Sequence, residues 1–170
     1  ALEAAAQLKD RVTHLVLVGT AFPMKVSPAL LETSLNEPEK AIRMINVFSR
    51  STLAPPPSAL GPGTWVYGAS YALNRRVLRS NPHENVFHIG FAACNGYAGG
   101  EAAIAAVTAP VLFVLGDADQ MTSPKAAQGL IAKARESGKR VVMTDVPVGH
   151  HQMNEAPDAT LFALRDFLSH

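Results

Sequence analysis

Val111-Leu112-Phe113-Val114-Leu115-Gly116-Asp117-Ala118-Asp119 is the stretch that decides the fold. A continuous apolar run stops at a glycine and two carboxylates. Such a run suits a strand covered on both faces, as in a parallel sheet lying under helices. A second stretch answers it downstream: Gly149-His150-His151-Gln152-Met153-Asn154-Glu155-Ala156-Pro157, a histidine loop followed by a proline that can start a helix. Between the two, Pro124 to about Glu136 reads as an amphipathic helix with Gly138 at its exit, and Val141–Val146 reads as a strand. The order is strand, Asp loop, helix, strand, His loop, helix. In a parallel α/β sheet both loops leave at the carboxyl ends of the strands, where sites gather. An Asp and a His on neighbouring strand ends can hydrogen-bond, the carboxylate fixing the imidazole tautomer and supporting its positive charge.

Working outward, residues 1–10 are rich in Ala and Leu and read as a helix, and Thr13 to Val18 reads as a strand that turns out at Gly19. From residue 22 to 97 the alternation breaks. Pro28–Leu35 and Pro38–Phe48 read as helices, residues 51–63 as a stiff turn-rich connection carrying Pro55-Pro56-Pro57, and 70–79 as a further helix. Residues 83–97 place Phe87, Ile89, Phe91 and Tyr97 partly at helical spacing. The region is too long for a loop and is predicted to be a mostly helical insertion. Glu101–Val107 reads as a short helix, and Pro157–Leu168 as the last one, with Leu161, Leu164, Phe167 and Leu168 on one face.

The chain has 170 residues, 48% apolar and 17% charged, with a net charge of +1. That is enough for one domain with a core, and the charge points neither to nucleic acid nor to an anionic membrane surface. The single Cys94 forms no internal disulfide, which fits a reducing, cytoplasmic setting. No apolar run is long enough to span a bilayer. The three predicted sheet strands leave 13–18 with an unpaired apolar edge, and the chain opens inside a helix without an initiating Met. Both features lead to the expectation of a longer protein whose first half precedes Ala1.

The run Val111–Asp119 resembles the acid-bearing strand end of α/β-hydrolase fold enzymes, where the acid stands three residues after the Gly, here Asp119. Gly149-His150, with Glu155 and Pro157 following, resembles the histidine loop and last helix of that family. The resemblance implies an α/β fold: the C-terminal half of the parallel sheet in 1–21 and 98–170, with 22–97 as a helical cap. It is nearest to the cap-bearing esterases, lipases and C–C hydrolases. A G-x-S-x-G elbow is absent, and Gly68-Ala69-Ser70 is not one, since no strand precedes it. The resemblance therefore places the nucleophile upstream of Ala1, in an N-terminal half present as a second polypeptide. Its identity is left open, with Ser the default and Asp or Cys the variants.

Within that frame Asp119 is the candidate orienting acid and His150 the candidate base. Asp117, nearer the strand end, is expected to bond loop backbone, and Glu155 to bond backbone at the start of the last helix. Trp65, Tyr67 and His151 are candidate substrate-binding residues; Trp65 and Tyr67, with Tyr71, Phe87, Phe91 and Tyr97, either line a pocket or form the cap's own core. His83 and His88 have no acid or Cys cluster beside them and are expected to be structural or surface residues. The expected reaction is acyl transfer to water on a small or medium ester or related carbonyl substrate, with no organic cofactor or metal. Two alternatives stand beside it. One is a non-catalytic ligand-binding module. The other is an epoxide or haloalkane hydrolase with an Asp nucleophile and a cap Tyr or Trp as proton donor.

Overall fold

The computed structural model describes residues 1–51 and 65–170, so all but the first residue of the connection expected over 51–63 lies outside the described residues. The sheet has three parallel strands in the order β1 (Leu15–Val18), β2 (Val111–Gly116) and β3 (Val141–Val146). Leu15 stands opposite Val111, and Val111 opposite Val141, so the three strands start level. Among the described residues β1 has a hydrogen-bonded neighbour on one side only.

The strand β2 explains its own sequence. Val111, Phe113 and Leu115 point into a core shared with α1 (Leu2–Leu8), α6 (Gly100–Ala106) and α7 (Pro124–Glu136), whose Ala5, Ile104, Leu130 and Ile131 meet them. Leu112 and Val114 point to the opposite face, where Phe167 of α9 (Pro157–Leu168) covers them. Both faces are dry, so the run needs no polar alternation. A 3₁₀ turn, Lys9–Arg11, joins α1 to β1.

Between β1 and α6 lie α2 (Pro28–Asn36), α3 (Pro38–Phe48), α4 (Val66–Ser80) and α5 (Val86–Gly96). A side-chain cap starts two of them, α2 and α5. The Ser27 hydroxyl accepts from the Leu30 N–H at 3.2 Å ahead of Pro28, and the Asn85 side chain accepts from the His88 N–H at 3.1 Å. The helix expected over 70–79 begins earlier, at Val66, because Gly68-Ala69-Ser70 continues it rather than breaking it. The Trp65 ring lies so closely over Gly68 that a Cβ there would collide with it. The helix α3 packs against both α2 and α4, and α2 against α5. A one-turn helix, α8 (Gln152–Glu155), sits inside the stretch read as a loop; four polar-flanked residues carry no periodic signal. Among the described residues no helix is long and apolar enough to cross a membrane.

Candidate active site

The carboxyl ends of the three strands converge on one point. At the end of β2 the chain turns through Gly116 and Asp119, whose N–H donates to the Gly116 carbonyl at 3.1 Å. Asp119 Oδ1 accepts from the backbone N–H groups of Met121 and Thr122, both at 2.8 Å. This is the loop-backbone role expected of Asp117. Asp117 is exposed instead, its own N–H donating to the Val146 carbonyl at 2.9 Å. Two residues further from the strand, Asp119 is buried and its side chain curls back over the turn.

The second carboxylate oxygen faces the histidine loop. Asp119 Oδ2 is 2.9 Å from His150 Nδ1, with the aspartate side chain fully buried and the histidine side chain 34% exposed. An ionised carboxylate on Nδ1 selects the Nδ1–H tautomer and leaves Nε2 as an acceptor. Nε2 has no hydrogen-bond partner among the described residues. Burial alone would push Asp119 up. The hydrogen bonds from His150 and Thr122, with the attraction of His150, outweigh it and hold the carboxyl below its ordinary range.

Two residues that the sequence did not single out complete the setting. Thr122 Oγ1 is 2.7 Å from the Gly19 carbonyl, 2.9 Å from Asp119 Oδ2 and 3.0 Å from His150 Nδ1. Its one proton serves either oxygen acceptor, while a lone pair faces Nδ1. The signal was a D-x-x-T turn, visible in sequence only once Asp119 is known to fold back. Gln152 is fully buried against Gly19 and Gly116. With its amide oriented to satisfy both ends, Gln152 donates to the His150 carbonyl and accepts from the Gly116 N–H at 3.2 Å. Nothing in the sequence marks it. Gly19 has φ +58°, and a Cβ there would press on the His150 ring and the Gln152 amide, each at 3.2 Å.

His150 and Thr122 form part of the wall of a cavity of about 820 Å³. The opposing wall comes from the intervening helices: Leu30 of α2, Met44, Ile45 and Phe48 of α3, Phe91 of α5. Trp65 and Tyr67 are not on this wall. They pack on one another with ring centroids 5.5 Å apart, and Tyr67 stacks on Tyr71 at 6.4 Å. Arg43 and Arg75 lie over Tyr71 in turn, at 5.6 and 5.5 Å. Tyr97 meets Phe22 edge-on and donates to Glu3 at 2.7 Å; burial and that carboxylate push its phenol up to about 12.

His151 is also off the wall, its ring edge-on to His150 at 6.2 Å. Burial, Arg50 and His150 lower its pKa, against the pull of Glu155 and Asn154. Glu155 does not bond backbone at the start of α9. Its Oε2 accepts from the Ser51 N–H at 2.9 Å and from the Ser51 hydroxyl, a contact across the chain that no local pattern announces.

Among the described residues one other hydroxyl–imidazole pair occurs. Ser34 Oγ donates to the Leu31 carbonyl at 2.8 Å and lies 3.1 Å from His88 Nδ1. Ser34 is fully buried and its proton is spent on backbone, so the pair ties α2 to α5 and cannot attack a substrate. Among the described residues no three His, Cys, Asp or Glu side chains are grouped to hold an ion.

No family model and no curated protein matches this sequence. Solved structures do match its architecture. An esterase from Exiguobacterium antarcticum superposes with a TM-score of 0.73 at 15% identity, over 98% of this chain and 62% of that one. The enol-lactonase from Burkholderia xenovorans LB400 gives 0.71 at 16% identity, over 99% and 61%. A thermophilic esterase gives 0.65 at 22% identity, over 92% and 56%. The chain thus spans about three-fifths of the length of the structures it resembles.

Proposed function

We propose, from the α/β-hydrolase fold that this chain has, that it carries the base and the orienting acid of a hydrolase whose nucleophile lies outside the chain. The observation that supports this reading is the 2.9 Å contact between Asp119 Oδ2 and His150 Nδ1 at the wall of the cavity, with Nε2 unpartnered among the described residues. No described Ser or Cys side chain hydrogen-bonds to His150, and the open side of β1 offers an edge along which a further parallel strand can pair.

In this reading His150 Nε2 takes the proton of the nucleophile's hydroxyl as its oxygen bonds to the substrate carbonyl carbon. Asp119 holds the imidazole in place and offsets the positive charge that forms. Nε2 then returns the proton to the leaving alkoxide. A water loses its proton to Nε2, attacks the acyl-enzyme, and releases the acid with the nucleophile reprotonated. Residues 22–97 act as a cap. The apolar wall contributed by Leu30, Met44, Ile45, Phe48 and Phe91 suits the hydrocarbon part of a small or medium ester or related carbonyl compound. An epoxide or haloalkane hydrolase would need a Tyr or Trp donor in the cavity, and the described lining contains neither.

A fluorophosphonate probe tests the reading in the assembled enzyme, meaning this chain with the polypeptide that supplies the nucleophile. Stoichiometric labelling of a serine, abolished by His150→Ala, is the expected result. No labelling would overturn the serine mechanism and favour a ligand-binding protein.

A further inference from the structure

His150 is held from two sides, and the second hold lies outside the acid pair. The residue's backbone N–H donates to the Ser49 carbonyl at 2.8 Å, at the C-terminal end of α3. Two residues on, Ser51 gives both its N–H and its hydroxyl to Glu155 Oε2, as described above. Glu155 belongs to the same loop as His150, and its N–H donates to the His151 carbonyl at 2.8 Å. Ser49–Ser51 and His150–Glu155 thus close a ring of hydrogen bonds. The two backbones touch inside it, for a Cβ on Gly149 would meet Ser51 N at 2.6 Å and the Arg50 carbonyl carbon at 2.8 Å.

The charges at this junction are buried too. Arg50 is 4% exposed and Glu155 7%. Arg50 Nη2 donates to Ser70 Oγ of α4 at 2.7 Å. Arg50 therefore ties the junction to a second helix, and the Glu155 carboxylate attracts it. Removing that carboxylate strands a buried guanidinium. The same helix α3 supplies Met44, Ile45 and Phe48 to the cavity wall that His150 shares. Side chains that would touch a ligand lie within two turns of the residues that hold the histidine.

We propose that Glu155 is a positioning residue for His150: by clamping Ser51 to the histidine loop it makes the end of α3 and the base move as one body. The proposal rests on the assignment of His150 as base. Contact of a ligand with α3 is then transmitted to the imidazole through the Ser49 carbonyl and the Ser51–Glu155 bond. Asp119 from the β2–α7 loop pairs with His150, and Arg50 from the end of α3 and Glu155 from α8 act on His151 beside it.

Glu155→Gln in the assembled enzyme tests this. Gln keeps an acceptor for Ser51 but removes the charge. The expected result is a fall in kcat of about tenfold with KM for a short ester within about twofold. Ser51→Ala, which deletes only the hydroxyl, lowers kcat in the same direction by less, and serves if the Gln variant does not fold. His150→Ala run alongside separates the two readings. If it still turns over, the base assignment itself fails. If it is inactive while Glu155→Gln and Ser51→Ala match the wild type in kcat, the base stands and the clamp is overturned. A loss of activity that only follows the loss of folded protein, or a rise in KM with kcat unchanged, overturns it equally.

Discussion

At the scale of single residues, the Asp119 carboxylate gathers the N–H groups of Met121 and Thr122, the Thr122 hydroxyl and His150 Nδ1. Its lowered pKa gives a signed prediction. The unfolded chain binds a proton at about pH 3.9 and the folded chain below that, so the stabilisation is complete above pH 3.9 and is lost as pH falls through the folded value. Urea unfolding between pH 3 and 6 should show the wild type losing stability on acidification more steeply than Asp119→Asn, which has no carboxyl to protonate. Thr122→Val keeps the shape and removes the hydroxyl shared by Gly19, Asp119 and His150. It should cost about 1–3 kcal/mol in denaturant unfolding and lower kcat, while Thr122→Ser restores most of both. Gly19→Ala should cost about 1–2 kcal/mol, since it adds a Cβ at positive φ against the histidine ring. Asp119 and His150 were legible in sequence because a strand end fixes where a loop residue lies. Thr122 and Gln152 were not, because what gives them meaning is Gly19, more than a hundred residues away from either.

At the scale of elements, the strands read most clearly, since a run buried on both faces is written as an unbroken apolar string. Phe113 sits at the centre of β2 with no exposure. Phe113→Ala should lose about 3–5 kcal/mol in chemical unfolding, whereas exposed Phe162→Ala should lose less than about 0.5. The start of α2 was legible at Pro28, whereas the start of α5 behind its Asn85 cap was not read within the stretch 83–97, and boundaries blurred where the aromatic pattern served another purpose. Trp65, Tyr67 and Tyr71 illustrate this. Their spacing is that of a pocket lining as much as of a helix face, and they pack on each other beneath Arg43 and Arg75. Glu155 is the converse. A carboxylate near a helix start reads as a local cap, yet it binds Ser51 across the fold.

At the scale of the whole molecule, one cavity lies between the strand ends and helices α2, α3 and α5, and the acid–histidine pair stands at its wall. The strand order, the covered faces of the sheet and the likeness to solved esterases and a lactonase agree on the architecture. The proposed chemistry then asks for a hydroxyl or thiol beside His150 Nε2, and the described residues provide none that hydrogen-bonds there. The most direct measurement is kcat/KM on a short activated ester, in the assembled enzyme, for His150→Ala and Asp119→Asn beside the wild type. The account expects both variants to fold and to lose about a thousandfold or more. Wild-type turnover in either would contradict it.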